Sequence, residues 1–372
     1  MTAIEVLESG VIFENPLPQL RSRQAFFPSL VRLEDGTLLA SYALGEAFES
    51  IDQTTHLSSS SDLGRTWTTL GPVHDKDRLP GLTSDVLKVT SLGGNRLVAF
   101  GYRFCRRSAD LPLGNPETGG LQDSEMILLR SFDGGRSWSN PEVIPRSFPD
   151  PVEASAPITV LSNGDWVSPI ANFFNWEGNI HDSLHGRLIR STDEGRTWED
   201  TTITMRFSDP ALTVWEQRLC EMEGGKVVVI AWNEDLKRNR LLPNHFALSL
   251  NHGRDFATPQ STGIYGQASS VQALGDDLLL ALHCLRRDTE RPGIYGCIVD
   301  LRKGQWDIVE QSVIWEPHVP IQPDKHFAQS FSYLKFGQPS AITLPDGTLM
   351  MVHWAIVDGQ GKILYHRLRI RT

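Results

Sequence analysis

The chain has 372 residues, 40% of them hydrophobic and 22% charged, which excludes a disordered polymer. No run approaches the roughly 18 uncharged apolar residues of a transmembrane helix, and 35 Lys and Arg against 45 Asp and Glu give a net charge of −10, which argues against nucleic-acid binding and for a soluble protein with no membrane partner. The N-terminus has no basic start followed by an apolar stretch, so no signal peptide is visible and a cytoplasmic location is expected, with a secreted mature form as the alternative.

One pattern recurs along the chain: an alternating apolar strand, a tight glycine turn and a second apolar strand. It reads PSLVRLEDGTLLASY at 28–42, VTSLGGNRLVAF at 89–100, APITVLSNGDWVSPI at 156–170, QRLCEMEGGKVVVIAW at 217–232, SSVQALGDDLLLALH at 269–283 and PSAITLPDGTLMMVHW at 339–354. Asp-Gly, Asn-Gly and Gly-Gly between period-2 runs are hairpin signals. The equivalent positions Leu38, Leu97, Trp166, Val227, Leu279 and Leu349 recur on average about every 62 residues, so six units fill the chain.

A second cassette follows the hairpin in most units. It runs Ser60-x-Asp62-x-Gly64-x-Thr66-Trp67, Ser131-x-Asp133-x-Gly135-x-Ser137-Trp138 and Ser191-x-Asp193-x-Gly195-x-Thr197-Trp198, with a degenerate copy at Ser249-x-Asn251-x-Gly253-x-Asp255-Phe256. The fifth unit keeps Asp300, Gly304 and Trp306 out of register. The acid accepts backbone N–H bonds in its own turn, the glycine takes positive φ, and the aromatic drops into the core. Each unit therefore holds four strands, a to d. The sixth lacks room for d, and the N-terminal segment, about 4–13, has no hairpin partner of its own. Together they predict an all-β, six-bladed β-propeller of four-stranded antiparallel blades, a single domain over 1–372 whose ring is closed by the N-terminal strand.

Alternating strand direction puts the a–b and c–d turns on one face and the longer b–c and d–a loops on the other, where function is expected. The b–c loops carry Glu46, Glu49 and Asp52, then Arg103, then Trp176 with His181 and His185, then His283, Arg286 and Arg287. The d–a loops and strand starts carry Arg23, Asp85, Glu153, Trp215 and Glu216, Tyr265, Tyr333 and Gln338. Carboxylates do acid–base work, arginine binds anionic groups, and aromatics stack on sugar rings. His181-x-x-x-His185 has metal spacing only on a helix, so no metal and no cofactor is expected. The four cysteines, Cys105, Cys220, Cys284 and Cys297, show no C-x-x-C pair and read as buried free thiols, a Cys284–Cys297 bridge being the lesser alternative.

The repeated Asp cassettes, the opening FFPSLVRLEDGTLLA and the closing GQPSAITLPDGTL resemble the sialidase (neuraminidase) superfamily of BNR/Asp-box propellers over essentially the whole chain. The resemblance implies a Glu before strand a of the fourth blade, matched by Glu216, and an acid/base Asp in the first b–c loop, matched best by Asp52 with Glu46 and Glu49 as rivals. Where sialidases open on Arg-Ile-Pro with a carboxylate-clamping Arg, this chain has Phe26-Phe27-Pro28, and Arg23 is close but not equivalent. A second clamp position holds Trp232-Asn233, and Gln338 stands at the place of the nucleophilic Tyr, with Tyr333 five residues earlier.

The expectation is a sialidase-like, exo-acting glycoside hydrolase for an acidic or polar terminal sugar. Glu216 is the candidate nucleophile or base and Asp52 or Glu46 the acid, with Asp85 and Glu153 able to fill either role. Arg103, Arg286 and Arg287 are the candidates for an anionic substituent, and Trp176, Trp215 and Tyr265 for stacking. A non-catalytic glycan-binding propeller and a polysaccharide lyase, using Tyr265, Tyr333 or His283 as base, are the alternatives.

Overall fold

A computed structural model describes residues 3–76, 81–318 and 334–371. Its strands assort into six antiparallel blades of a β-propeller, four strands each from inner a to outer d. Blade 1 is Gln24–Arg32, Leu38–Gly45, Thr54–Ser60 and Thr68–Pro72, and blade 2 is Leu82–Ser91, Leu97–Arg106, Ser124–Ser131 and Glu142–Ile144. In blade 3 the inner strand is broken into Val152–Glu153 and Thr159–Val160, ahead of Trp166–Asn172, Gly186–Ser191 and Glu199–Met205. Blade 4 is Trp215–Glu221, Val227–Trp232, His245–Ser249 and Gln260–Ser261, and blade 5 is Ser269–Gly275, Leu278–Leu285, Gly293–Asp300 and Asp307–Trp315.

Blade 6 joins Phe336–Thr343, Leu349–Val357 and Gln360–Arg371 to the N-terminal strand Ala3–Phe13, which pairs with the last strand in the register Val6↔Leu368. First and last segments thus share one sheet and the ring has no open seam. The b–c loop of this blade is not long: Asp358 and Gly359, at φ 52° and 75°, make a tight turn between Val357 and Gln360.

The cassettes are built from their own side chains. Ser60 Oγ accepts from Gly64 N at 2.9 Å, Asp62 takes Thr66 N at 2.9 Å and Thr66 Oγ1 at 2.6 Å, and Trp67 Nε1 donates back to Gly64 O at 2.9 Å. The same bonds recur at Ser131–Trp138 and, without the indole bond, at Ser191–Thr197. Gly64 and Gly135 sit at φ 88° and 87°, where a Cβ is strained. The hydroxyl and N–H bonds from Thr66 and Ser137 hold the Asp62 and Asp133 carboxyls down to about 2. These acids form turns and are remote from the opposite face.

The core lies between blades. Phe26, Tyr42 and Leu38 of blade 1 pack with Met350, Val352 and Trp354 of blade 6, and Phe100 and Met126 of blade 2 with Ile170 and Ile189 of blade 3. Cys284 and Cys297 are buried on neighbouring strands but out of register, Cys284 opposite Ile294 and Cys297 opposite Ala281, and all four cysteines are free. Cys105 and Cys220 are only half-buried. Among the described residues no helix is long and apolar enough to cross a membrane.

Two buried histidines sit at the ring closure. His353 Nδ1 lies 3.1 Å from Trp354 O, its Nε2 lies 3.0 Å from His366 Nε2, and His366 Nδ1 lies 2.7 Å from Ser9 Oγ on the N-terminal strand. One proton between the two Nε2 atoms satisfies this chain with both rings neutral. Burial pushes His353 well below the usual histidine range and His366 down to about 4. The unfolded chain binds these protons near pH 6.5, so their contribution is present above 6.5 and lost as pH falls below it. Replacing both by Leu should flatten the fall of urea-melt stability between pH 6.5 and 5 by about 1.4 kcal/mol per pH unit for each histidine removed. Equal slopes in the two proteins would overturn this assignment.

Candidate functional site

The inner strands carry three equivalent irregularities. In blades 1, 4 and 6 one extra residue enters strand a, between Phe26 and Ser29, Trp215 and Arg218, and Gly337 and Ser340. The bulged residues Phe27, Glu216 and Gln338 have φ 55°, 44° and 45°. Left-handed backbone at non-glycine residues costs on the order of 1–3 kcal/mol each. All three side chains face a central cavity of about 590 Å³ whose lining comes from all six blades.

A buried lysine holds the three bulges together. Lys88, 2% exposed, lies on strand a of blade 2 two residues beyond the cavity-lining Val86. Its Nζ donates to Phe27 O at 2.6 Å, Pro28 O at 3.2 Å and Gln338 Oε1 at 3.0 Å. Three acceptors match the three N–H groups of an ammonium. Burial, aided by Arg218, lowers the Lys88 pKa well below the lysine range, while Glu216 and Glu153 pull the other way. A donor-only lysine fixes the amide of Gln338, so its Nε2 faces Glu216 and donates to Oε1 at 3.0 Å. Glu216 Oε2 is left without a hydrogen-bond partner.

Glu153 is the second carboxyl in the cavity. Its Oε1 accepts from Ser155 N at 2.9 Å and its Oε2 has no partner. Burial, reinforced by the Glu216 charge and opposed by Arg218, raises its pKa to about 7. Arg218 Nη1 donates to Ser155 Oγ at 3.0 Å and Gln217 O at 2.8 Å. Arg286 donates from Nε to Gln267 Oε1 at 2.9 Å and from Nη1 to Phe336 O at 3.0 Å, lies 5.4 Å over the Trp232 ring, and keeps Nη2 unpartnered. Trp215 crosses Trp232 edge-on at 5.8 Å, and Phe27 and Phe48 pack on Trp354 across the cavity. Glu234, raised by burial against the pull of Arg287, pairs with Arg287 Nη1 at 3.2 Å. Among the described residues no group of three or more His, Cys, Asp and Glu is placed to hold a metal.

No protein-family model matches the sequence, and no curated protein matches it. Solved structures do match its fold. A protein of unknown function from Dyadobacter fermentans aligns over 99% of both chains with a TM-score of 0.76 at 19% identity. The Trypanosoma rangeli sialidase, in its covalent complex with 2,3-difluorosialic acid, aligns over 98% of this chain with a TM-score of 0.59 at 18% identity. NanB with optactamide aligns over 96% of this chain and 70% of its own at TM-score 0.63 and 11% identity. The fold is that of a sialidase-like propeller. These identities carry the fold alone, and the chain spans 58% of the length of the trypanosomal sialidase.

Of the residues singled out in the sequence, this sialidase-like propeller brings Glu153, Glu216, Trp215, Arg286 and Gln338 to the cavity. It does not bring the other described ones there. Asp85 is buried and occupied, taking bonds from Thr54 Oγ1, Thr55 N, Thr55 Oγ1 and His74 Nε2; burial raises its pKa, but the His74 and threonine bonds outweigh it and hold the carboxyl low. Asp52 caps its own loop through Glu46 N at 3.0 Å and lies 4.0 Å from Arg23, all three being partly or fully exposed outside the cavity. Arg103 is paired with Glu125 at 2.5 Å, and Trp176 lies under Arg107 at 5.4 Å. Tyr265 is 55% exposed away from the cavity, and His283 is buried against Asn244 Oδ1 at 2.9 Å. Arg287 stands behind Glu234 rather than in the lining. Tyr333 lies outside the described residues.

The residues missed are Lys88, Arg218 and the wall aromatics Phe48, Tyr102, Phe173 and Trp354. The two cations carried a signal: each interrupts an inner strand, Lys88 between Leu87 and Val89 and Arg218 before Leu219, where alternation points it to the channel. Lys88→Met leaves two carbonyls and the Gln338 amide oxygen without their donor. It should cost about 3 kcal/mol in urea melts, as for a broken buried charged contact. A loss under about 0.5 kcal/mol, typical of a surface site, would show that the pin is not structural.

Proposed function

We propose that the chain is a sialidase-like exo-acting glycoside hydrolase, a single propeller domain whose cassettes are Asp-box repeats, and that its substrate ends in an acidic or polar sugar. The observation that supports this best is one aromatic-walled cavity holding Glu153 and Glu216, each with one oxygen tied down and the other unpartnered. Two carboxyls in different environments can divide the acid and base roles. Glu153, its pKa raised by burial to about 7, holds its proton in about half of the molecules at neutral pH and serves as the acid to the departing oxygen. Glu216 Oε2 serves as nucleophile or base at the anomeric carbon, its rotation blocked by Gln338. Arg286 Nη2 supplies the free donor for an anionic substituent, and Trp215 a face for the ring.

Of the candidate bases for a lyase, Tyr265 and His283 stand outside the cavity and Tyr333 lies outside the described residues. Four free thiols fit a reducing compartment.

Glu216→Gln should lower kcat by about 1,000-fold or more on aryl glycosides and uronic-acid glycosides, with KM little changed. Wild-type turnover with no loss in Glu216→Gln would remove Glu216 from the mechanism. Glycan binding without turnover would favour the non-catalytic reading.

The role of Glu153 fixes the pH profile. The acid form is lost as pH rises through its folded pKa, so kcat/KM should fall tenfold per unit well above about pH 7. Glu153→Gln should lose that alkaline limb and about 100-fold or more in rate. An unchanged alkaline limb in the variant would assign it to another group.

A further inference from the structure

We infer that the substrate's leaving group is an apolar or aromatic aglycone rather than a second sugar. This rests on the hydrolase reading and specifies the other half of the same cavity. The cavity has two levels set by the topology. Its floor comes from the inner strands and holds Glu153, Glu216 and Gln338, with Arg286 beside them. Its mouth comes from the b–c loops and holds Phe48, Leu113, Leu121, Phe173, Phe174 and Leu236, each half-buried. The polar side chains near this level are few: Gln53 Nε2 donates to Phe48 O at 3.3 Å, Thr118 Oγ1 donates to Trp176 O at 2.7 Å, and Asn239 stands exposed at the rim beside Leu236.

The apolar collar is held open by bonds between loops of different blades. Leu121 N donates to Phe174 O at 2.9 Å, Leu113 N to Glu49 Oε2 at 3.1 Å, and Asn115 Nδ2 to Trp176 O at 2.9 Å. Arg106 Nη1 donates to Glu49 O at 2.8 Å, joining the first loop to the second. Gly120 lies so close to Asn175 that a Cβ there would stand 1.7 Å from its carbonyl oxygen, so the two backbones meet at this point. Loops cross-braced in this way seat their apolar side chains around the opening, Leu113 and Leu121 against the core of blades 2 and 3 and Phe173 and Leu236 against Trp215 and Trp232.

An exo-acting enzyme places the terminal sugar deepest, and whatever follows the glycosidic oxygen faces the collar. In hydrolysis the bond from the anomeric carbon to that oxygen breaks. The aglycone leaves as an alcohol with a proton from Glu153, and the oxygen of a water ends on the anomeric carbon. Its two protons regenerate the acid and complete the new hydroxyl. A second sugar at the collar would lose water from several hydroxyls and meet mostly apolar side chains, with Gln53, Thr118 and Asn239 as the polar side chains there. An apolar group loses nothing there and gains by leaving water.

The test compares methyl, 2-phenylethyl and glucosyl glycosides of the same terminal sugar, across both anomers of glucose, galactose and glucuronic acid. All three leaving groups are alkanol-like, so a difference reports contact rather than leaving ability. The expected kcat/KM for the 2-phenylethyl glycoside is about tenfold or more above the other two. Leu121→Ser and Leu236→Ser should each cut that preference about threefold or more. Equal rates, or preference for the disaccharide, would overturn the aglycone inference while leaving the hydrolase reading standing. If none is cleaved, the hydrolase reading fails, and calorimetry with inert thioglycoside counterparts decides the collar. Tenfold tighter binding of the 2-phenylethyl compound than of the methyl compound then sustains the collar as an apolar subsite. Equal or absent binding overturns it.

Discussion

A single buried ammonium organises the channel. Inner strands of a propeller converge on an axis where regular backbone would offer only short side chains and a dry core. Here three strands bulge instead, at Phe27, Glu216 and Gln338, and each adopts backbone that non-glycine residues avoid. Lys88 from the second blade reaches the first blade's bulge through Phe27 O and Pro28 O, and the sixth through Gln338 Oε1. Gln338 passes the constraint to Glu216 in the fourth. The desolvation of the lysine is offset by three acceptors and the nearby acids Glu216 and Glu153, and two of the bulges supply those acceptors.

The two faces of the ring are rigid for different reasons. Turns on the cassette face are closed by their own side chains, within eight residues, so each blade builds its own. On the cavity face the bracing is between blades, as where the second blade's loop bonds to the first and third. Local closure satisfies the groups of the cassettes in blades 1 to 3, while the degenerate fifth turn leaves Trp306 Nε1 without a partner. Of the other buried atoms without partners, Glu153 Oε2, Glu216 Oε2, Arg286 Nη2 and Trp354 Nε1 gather at the cavity. Buried polar atoms without partners are rare enough that such a convergence marks a place for a ligand or for water.

How much was legible follows from the same distinction. The six blades and the closing strand were readable because hairpin and cassette chemistry is local and repeats about every 62 residues. Glu216 and Gln338 were readable because each stands beside the first residue of a recurring hairpin. Asp85 occupies a similar place in blade 2, yet no bulge turns it inward. Its strand runs in unbroken register from Leu82 to Ser91, and two threonines and His74 take its oxygens. Asp52 and Arg103 were placed by loop membership alone, and which way a loop side chain points depends on partners in other segments, Arg23 and Glu125 here. Lys88 was passed over because a charge in an apolar strand was not weighed as a cost that the fold must offset.

The division of labour between the two acids also follows from nonlocal contacts. Glu153 and Glu216 are the same chemical group near a strand start, and apart from the resemblance that singles out Glu216 their residue types do not tell them apart. Glu153 sits where the inner strand of blade 3 breaks off, so it is buried with one backbone N–H and a neighbouring negative charge. Those conditions favour the neutral acid. Glu216 sits on a bulge that Gln338 and Lys88 hold from outside its own blade, with an amide donor aimed at one oxygen. That bond fixes the carboxyl and leaves Oε2 without a partner at the cavity. On the proposed hydrolase reading, Glu153 gives the proton and Glu216 presents Oε2. What separates them is the packing of blades 1, 2 and 6 around the channel, not anything encoded within either strand.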